Sequence, residues 1–176
     1  AVTSEPQEGI YISGGIAGDE KFYRSTDEGK TWESILDHRC FATYMDPNPN
    51  GKIFCGGPDR LLVSQDGGDS WNSILSGKSI WEVAVSPHSE GTLVAGGDGS
   101  GLFISDNGGA KWSDRNSGLG GTYLSLSISP FDNATLFAEG GYGIHRSTDK
   151  GQSWDLLTDQ GSGLAFDADK TTKSMY

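Results

Sequence analysis

Three stretches of the chain alternate apolar with small or polar residues: FATYM from Phe41, WEVAV from Trp81 and LSLSI from Leu124. A period of two is that of a strand with one face buried. Proline, asparagine or glycine follows each stretch and supplies a turn. An apolar run ending in glycines comes next: IFCGG from Ile53, LVAGG from Leu93 and LFAEGG from Leu136, with an equivalent run, IYISGG, at Ile10. Short strand-like segments follow at Phe22 (FYRS), Leu61 (LLVS), Leu102 (LFIS) and Ile144 (IHRS), and a last one opens on tryptophan, as in WESIL and WNSIL. No amphipathic helical stretch of useful length is present. The pattern predicts an all-β chain with four strands, A to D, in each period.

Between strands C and D the same octet returns four times. STDEGKTW covers Ser25–Trp32, SQDGGDSW Ser64–Trp71, SDNGGAKW Ser105–Trp112 and STDKGQSW Ser147–Trp154. A repeat of about 40 residues points to a solenoid, a propeller or an array. The motif SxDxGxxW resembles the Asp-box of sialidase-like β-propellers, and four copies in register make the resemblance specific. It implies a propeller whose blades are four-stranded antiparallel sheets. Physically, Ser25, Ser64, Ser105 and Ser147, with Asp27, Asp66 and Asp149, can accept hydrogen bonds from turn amides. Asn107 takes the acidic slot in the third copy, keeping an acceptor and losing the charge. Gly29, Gly68, Gly109 and Gly151 suit a positive φ. Trp32, Trp71, Trp112 and Trp154 are expected to bury a large apolar area in equivalent places. Repetition in every blade assigns these residues to the fold.

The blades expected are 9–36 completed by 162–167, then 41–75, 81–116 and 124–158, together one propeller domain. The opening AVTSEPQEGIYISGG aligns with AVSPHSEGTLVAGG, and the closing GLAFDADKTTKSMY reads as a strand A with the start of a B. Either Gly163–Asp167 pairs with Ile10–Ser13 and closes a ring, or the chain is a piece of a longer array. The second is favoured, because both ends stop inside a unit and Asp-box propellers resemble rings of more blades. Further blades from the same polypeptide or another chain are then partners.

The net charge of −11 argues against nucleic acid and anionic membrane surfaces, and the basic residues are scattered. No apolar run approaches the ~20 residues of a membrane span. Cys40 and Cys55 flank one hairpin and are within reach of a disulfide, or else remain two small buried thiols. His38, His88 and His145 fall in different blades, and no zinc or calcium spacing is present, so neither metal nor cofactor is implied. Asn133-Ala134-Thr135 is an N-glycosylation sequon, expected in an exposed turn.

In propellers of the resembled type, B–C loops and D–A connections share the ligand-binding rim and the Asp-boxes lie opposite. That rule places Asp37, His38, Arg39, Asp59, Arg60, Lys78, Trp81, Asp98, Tyr123 and Tyr142 on the ligand side. Trp81 stands out as the one tryptophan outside a box, where the other blades carry Phe41 and Leu124. It is either packing or an aromatic platform for a sugar ring or a partner side chain. The repeat wording resembles xyloglucanases and the sortilin-type and photosystem-assembly-type propellers. Arg24, Arg39, Arg60, Arg115 and Arg146 do not fall in the sialidase pattern, and the xyloglucanase catalytic motifs are missing. The expectation is a non-catalytic module binding a protein or glycan, with no catalytic residue of its own. The alternative is a fragment of a glycoside hydrolase whose chemistry lies elsewhere. Either belongs in an extracellular or periplasmic setting, with the export signal not in this chain.

Overall fold

A computed structural model describes residues 9–16, 19–46, 51–89, 91–119 and 123–159. Its strands are β1 (Ile10–Ile16), β2 (Asp19–Ser25), β3 (Glu33–Leu36), β4 (Ala42–Met45), β5 (Ile53–Gly56), β6 (Arg60–Ser64), β7 (Asn72–Ser76) and β8 (Glu82–Val85). They continue as β9 (Leu93–Gly97), β10 (Gly101–Ser105), β11 (Ser113–Asp114), β12 (Tyr123–Ile128), β13 (Leu136–Gly140), β14 (Gly143–Ser147) and β15 (Asp155–Thr158). Among the described residues there is no helix. Each strand pairs antiparallel with its neighbour in sequence, giving one three-stranded sheet, β1–β3, and three of four strands, β4–β7, β8–β11 and β12–β15. These are the four blades. The residues expected to supply strand A of the first blade, 162–167, lie outside the described residues. The chain divides between Lys78 and Ser79 into two compact units, each holding two blades.

The box serines set the register. Ser25, Ser64, Ser105 and Ser147 pair with Ile10, Ile53, Leu93 and Leu136. Aligning the opening by its glycine pair would put Ile12 in the slot of Val94, but the ladder puts Tyr11 there, because the first hairpin is longer and runs on to Ile16 paired with Asp19. A slip of one residue exchanges the two faces of a strand. Ile10, Ile12 and Tyr23 therefore occupy the slots of Ile53, Cys55 and Leu62.

Each box is tied by the same hydrogen bonds. The Gly29 amide donates to Ser25 Oγ (2.8 Å), Ser25 Oγ donates to Asp27 Oδ1 (2.8 Å), and Asp27 accepts the amide and hydroxyl of Thr31 at 2.8 and 2.6 Å. Asp66 with Ser70 and Asp149 with Ser153 repeat it. Chiefly through the hydroxyl bond, the carboxyls of Asp27, Asp66 and Asp149 are pulled down to about 2. Asn107 keeps the amide contact, to Lys111 (2.8 Å), where no hydroxyl is available. The glycines have positive φ, +100° at Gly68 and +76° at Gly151. Close approach is a second requirement there. A Cβ on Gly68 would meet Ile35 at 2.5 Å, and one on Gly151 would meet Ile104 at 2.6 Å, both on the preceding blade. The residue before the box glycine is also left-handed: Glu28 and Lys150 in two copies, Gly67 and Gly108 in the others.

The cores lie between blades. In the first unit Phe22, fully buried, packs with Cys40, Ile53, Cys55 and Leu62 of the second blade. Trp71 meets its ring edge-on with centroids 5.8 Å apart. Cys40, just ahead of β4, is disulfide-bonded to Cys55 on β5, and closing a loop of this length restricts the unfolded chain by about 3 kcal/mol. In the second unit Val94, Leu102 and Ile104 face Leu126, Ile128, Leu136, Ala138 and Trp154 of the fourth blade.

The four box tryptophans are not uniformly buried, contrary to the expectation. Trp154 is 8% exposed, Trp71 and Trp112 are half-buried, and Trp32 is 39% exposed. Trp154 sits on the blade before it, its indole N–H donating to the Arg115 carbonyl at 3.0 Å. Trp32 belongs to the first sheet and has no earlier sheet among the described residues to rest on. Asn133 is half-buried rather than exposed, and its side-chain carbonyl accepts a hydrogen bond from the Ser86 hydroxyl.

Candidate functional site

Strand direction decides which side of a blade each loop is on. A and C run one way, B and D return, so the boxes share an edge with the A–B turns. The B–C loops and D–A connections form the opposite rim. On it the first unit gathers a charged cluster. Asp59 accepts from Arg60 at 2.9 and 2.5 Å, and its carboxyl is held below the usual range mainly by that bond. The Asp59 carbonyl accepts the amides of Gly77 (2.7 Å) and Lys78 (3.2 Å), tying the B–C loop to the end of the second blade. His38 is half-buried, with Nε2 lacking a hydrogen-bond partner and 3.8 Å from Asp59 Oδ1. Burial pushes its pKa down; Asp59 opposes this and Arg60 adds to it. A Cβ on Gly57 would strike the His38 ring, so that glycine is what admits the histidine. Asp37 is exposed beside it.

Phe41 and Trp81 occupy one equivalent place. The Phe41 amide donates to the Gly56 carbonyl (2.6 Å) and the Trp81 amide to the Gly96 carbonyl (2.8 Å). Two residues earlier the blades differ. Arg39 lays its guanidinium 4.7 Å above the Phe41 ring and reaches Glu20 at 3.7 Å, so that ring is capped. Ser79 instead accepts the Trp81 indole N–H at 2.9 Å. This bond holds the indole by its edge and leaves it 40% exposed. The connection carrying it is fixed in turn: the Ser79 amide donates to Ser100 Oγ (3.0 Å), and only a glycine at 97 lets the Ser79 carbonyl come so near. A pinned and partly exposed ring is suited to stacking, since little rotamer freedom is left to lose.

Glu82 follows Trp81 and was not anticipated. Its slot holds Ala42 in the second blade and pairs with Gly96 as Ala42 pairs with Gly56. It lies on the face of β8 that carries Ala84, which packs on the apolar cluster of the second unit. Burial alone pushes its carboxyl up to about 7. The sequence signal was available: a glutamate where the repeat places a small residue. Of the other rim candidates, Asp98 is exposed on the loop after β9 and Tyr142 is 69% exposed between β13 and β14. The backbone of Tyr123 opens β12, and its side chain lies outside the described residues. Thus Asp37, His38, Arg39, Asp59, Arg60 and Lys78 share one rim section, and Trp81 shares another with Asp98. Among the described residues, no three histidine, cysteine, aspartate or glutamate side chains converge as a metal site would require.

The BNR/Asp-box repeat family matches residues 23–34. A xyloglucanase of Hypocrea jecorina (strain QM6a) is 30% identical over 138 residues, 73% of this chain and 16% of that protein. An ancestral GH74 enzyme superposes with a TM-score of 0.69 at 23% identity, covering 88% of this chain and 23% of its own. YCF48 bound to D1 peptide superposes at 0.57 with 19% identity, over 80% of this chain and 48% of that one. The chain thus spans about a sixth of the curated relative and under a quarter of the enzyme structure. Four boxes in register, blade-like sheets and these likenesses together make the chain a run of Asp-box β-propeller blades.

Proposed function

We propose that these blades form part of a glycan-acting propeller related to xyloglucanases, and that the rim at Trp81 binds a β-glucan chain of xyloglucan type. The observation that carries the reading is the 40% exposed, edge-pinned indole of Trp81 in a chain 30% identical to a protein named for xyloglucan cleavage. Asp59 is committed to Arg60, and Glu82 is turned into a blade seam, so neither stands free as an acid or base for hydrolysis. Bond cleavage is therefore assigned to polypeptide outside these blades, and this chain contributes binding. A polysaccharide ligand implies a place outside the cytoplasm. The test is calorimetric titration of the folded chain with xyloglucan oligosaccharides, with unsubstituted cello-oligosaccharides and an unrelated peptide alongside. Binding of the oligosaccharides without release of reducing ends supports the reading. Binding of peptide alone favours a protein-recognition module on the same rim, and binding of none of them overturns it.

A further inference from the structure

Phe41 holds in the second blade the place that Trp81 holds in the third, and a planar group is already stacked on it. The Arg39 guanidinium lies 4.7 Å from the ring centroid. A guanidinium is flat and weakly hydrated and stacks on aromatic faces. It therefore fills the position that the apolar face of a sugar would take on an uncovered ring. Platform and cap are held very differently. The Phe41 amide donates to the Gly56 carbonyl at 2.6 Å, Cys40 before it is disulfide-bonded to Cys55, and the Cys40 carbonyl accepts the Ser13 hydroxyl at 2.9 Å. In the third blade Ile80 and Ala95 take the places of the two cysteines, both fully buried. The covalent tie is thus no requirement of a blade, and its effect here is to fix the strand entrance that carries Phe41.

The cap has no such anchorage. The Arg39 side chain is 55% exposed, and beyond the ring it meets Glu20 at 3.7 Å. An exposed cation–π contact and an ion pair near the surface are each weak, whereas the ring beneath stays half-buried on a fixed backbone. We infer that Phe41 is a second stacking site for a sugar ring, closed in this structure by Arg39, which acts as a side-chain lid latched to Glu20. The inference takes the class of ligand, a β-glucan chain, from the function proposed above, but places it on a different blade from Trp81. Opening needs only rotation of the Arg39 side chain, with no movement of the strand.

The test is calorimetric titration with a xyloglucan oligosaccharide in a Trp81→Ala background, where the third-blade indole no longer contributes. Adding Arg39→Ala should tighten binding by about fivefold or more, because the two contacts of the lid need not be broken, and should leave the melting temperature unchanged. Adding Phe41→Leu as well should abolish that gain; it keeps an apolar residue in the slot, as Leu124 does in the fourth blade. No gain from Arg39→Ala overturns the inference, and so does a gain that survives Phe41→Leu. The Trp81 reading is judged separately, by the wild-type chain against Trp81→Ala. If the wild type does not bind and Arg39→Ala alone does, Phe41 stands as a site and the Trp81 reading fails. If neither binds, both fail.

Discussion

The two edges of each blade have been treated differently by the sequence. On the box edge, four turns repeat one set of hydrogen bonds almost atom for atom, and even Asn107 keeps the backbone contact. On the rim, residues in the same slot part company: Arg39 caps Phe41, whereas Ser79 pins Trp81 by its edge, and Ala42 becomes Glu82. The difference teaches where selection for folding stops. A feature required to join one blade to the next recurs in all of them, while a feature present in one blade answers to something else.

The largest effects should come from breaking the repeated edge. Trp154→Ala should cost about 3–5 kcal/mol of stability, as removal of a buried aromatic does, read by denaturant unfolding. Gly68→Val should cost roughly 2–4 kcal/mol, combining a positive φ with the clash against Ile35. Were Gly68→Val neutral, the turn and the close approach assigned to it would both be wrong. On the rim, Trp81→Ala should weaken glycan binding by about 2 kcal/mol and leave the melting temperature nearly unchanged, since the indole contributes little to the core.

Glu82 sharpens the comparison through pH. Its folded pKa of about 7 lies above the unfolded value near 4.5, so the folded state binds the extra proton between them. Stability is then full below about pH 4.5 as far as this group is concerned, and falls as pH rises toward 7. Glu82→Gln should remove that loss, adding roughly 1–2 kcal/mol at pH 8 after allowance for partial exposure and almost nothing at pH 5. Equal gains at both pH values would show that the carboxyl is not held neutral by burial. The box aspartates have the opposite sign. Depressed to about 2, they stabilise above pH 4 and lose this as pH falls through their folded values. Smallest of all, Ser79→Ala should reduce glycan affinity by about 0.5–1 kcal/mol, because the indole loses the bond that holds its edge and gains rotamer freedom that binding must then remove.

The architecture was legible because its signals are local. A box serine, acid, glycine and tryptophan define one turn, and period-two alternation defines the strands around it. What escaped was non-local. Trp32 and Trp154 are identical in motif, yet their burial depends on whether another blade lies beneath them. The slip that exchanges Ile12 for Tyr11 depends on where a hairpin turns, which paired glycines do not specify. At the rim the sequence marked Trp81 as odd but not its pinning by Ser79, which needs the path of the D–A connection. Glu82 went unremarked because a lone glutamate at the mouth of a strand reads as solvated until the adjoining blade is placed.

The account rests on the rim binding glycan while the box edge holds the fold, and one paired measurement tests that division. Affinity for a xyloglucan oligosaccharide and thermal melting are recorded together for the wild-type chain, Trp81→Ala and Trp71→Ala. The account predicts that Trp81→Ala loses affinity at an unchanged melting temperature. It predicts that Trp71→Ala melts lower yet binds as wild type while folded. If Trp81→Ala binds normally, or loses affinity only because it unfolds, the exposed indole is packing and the division fails.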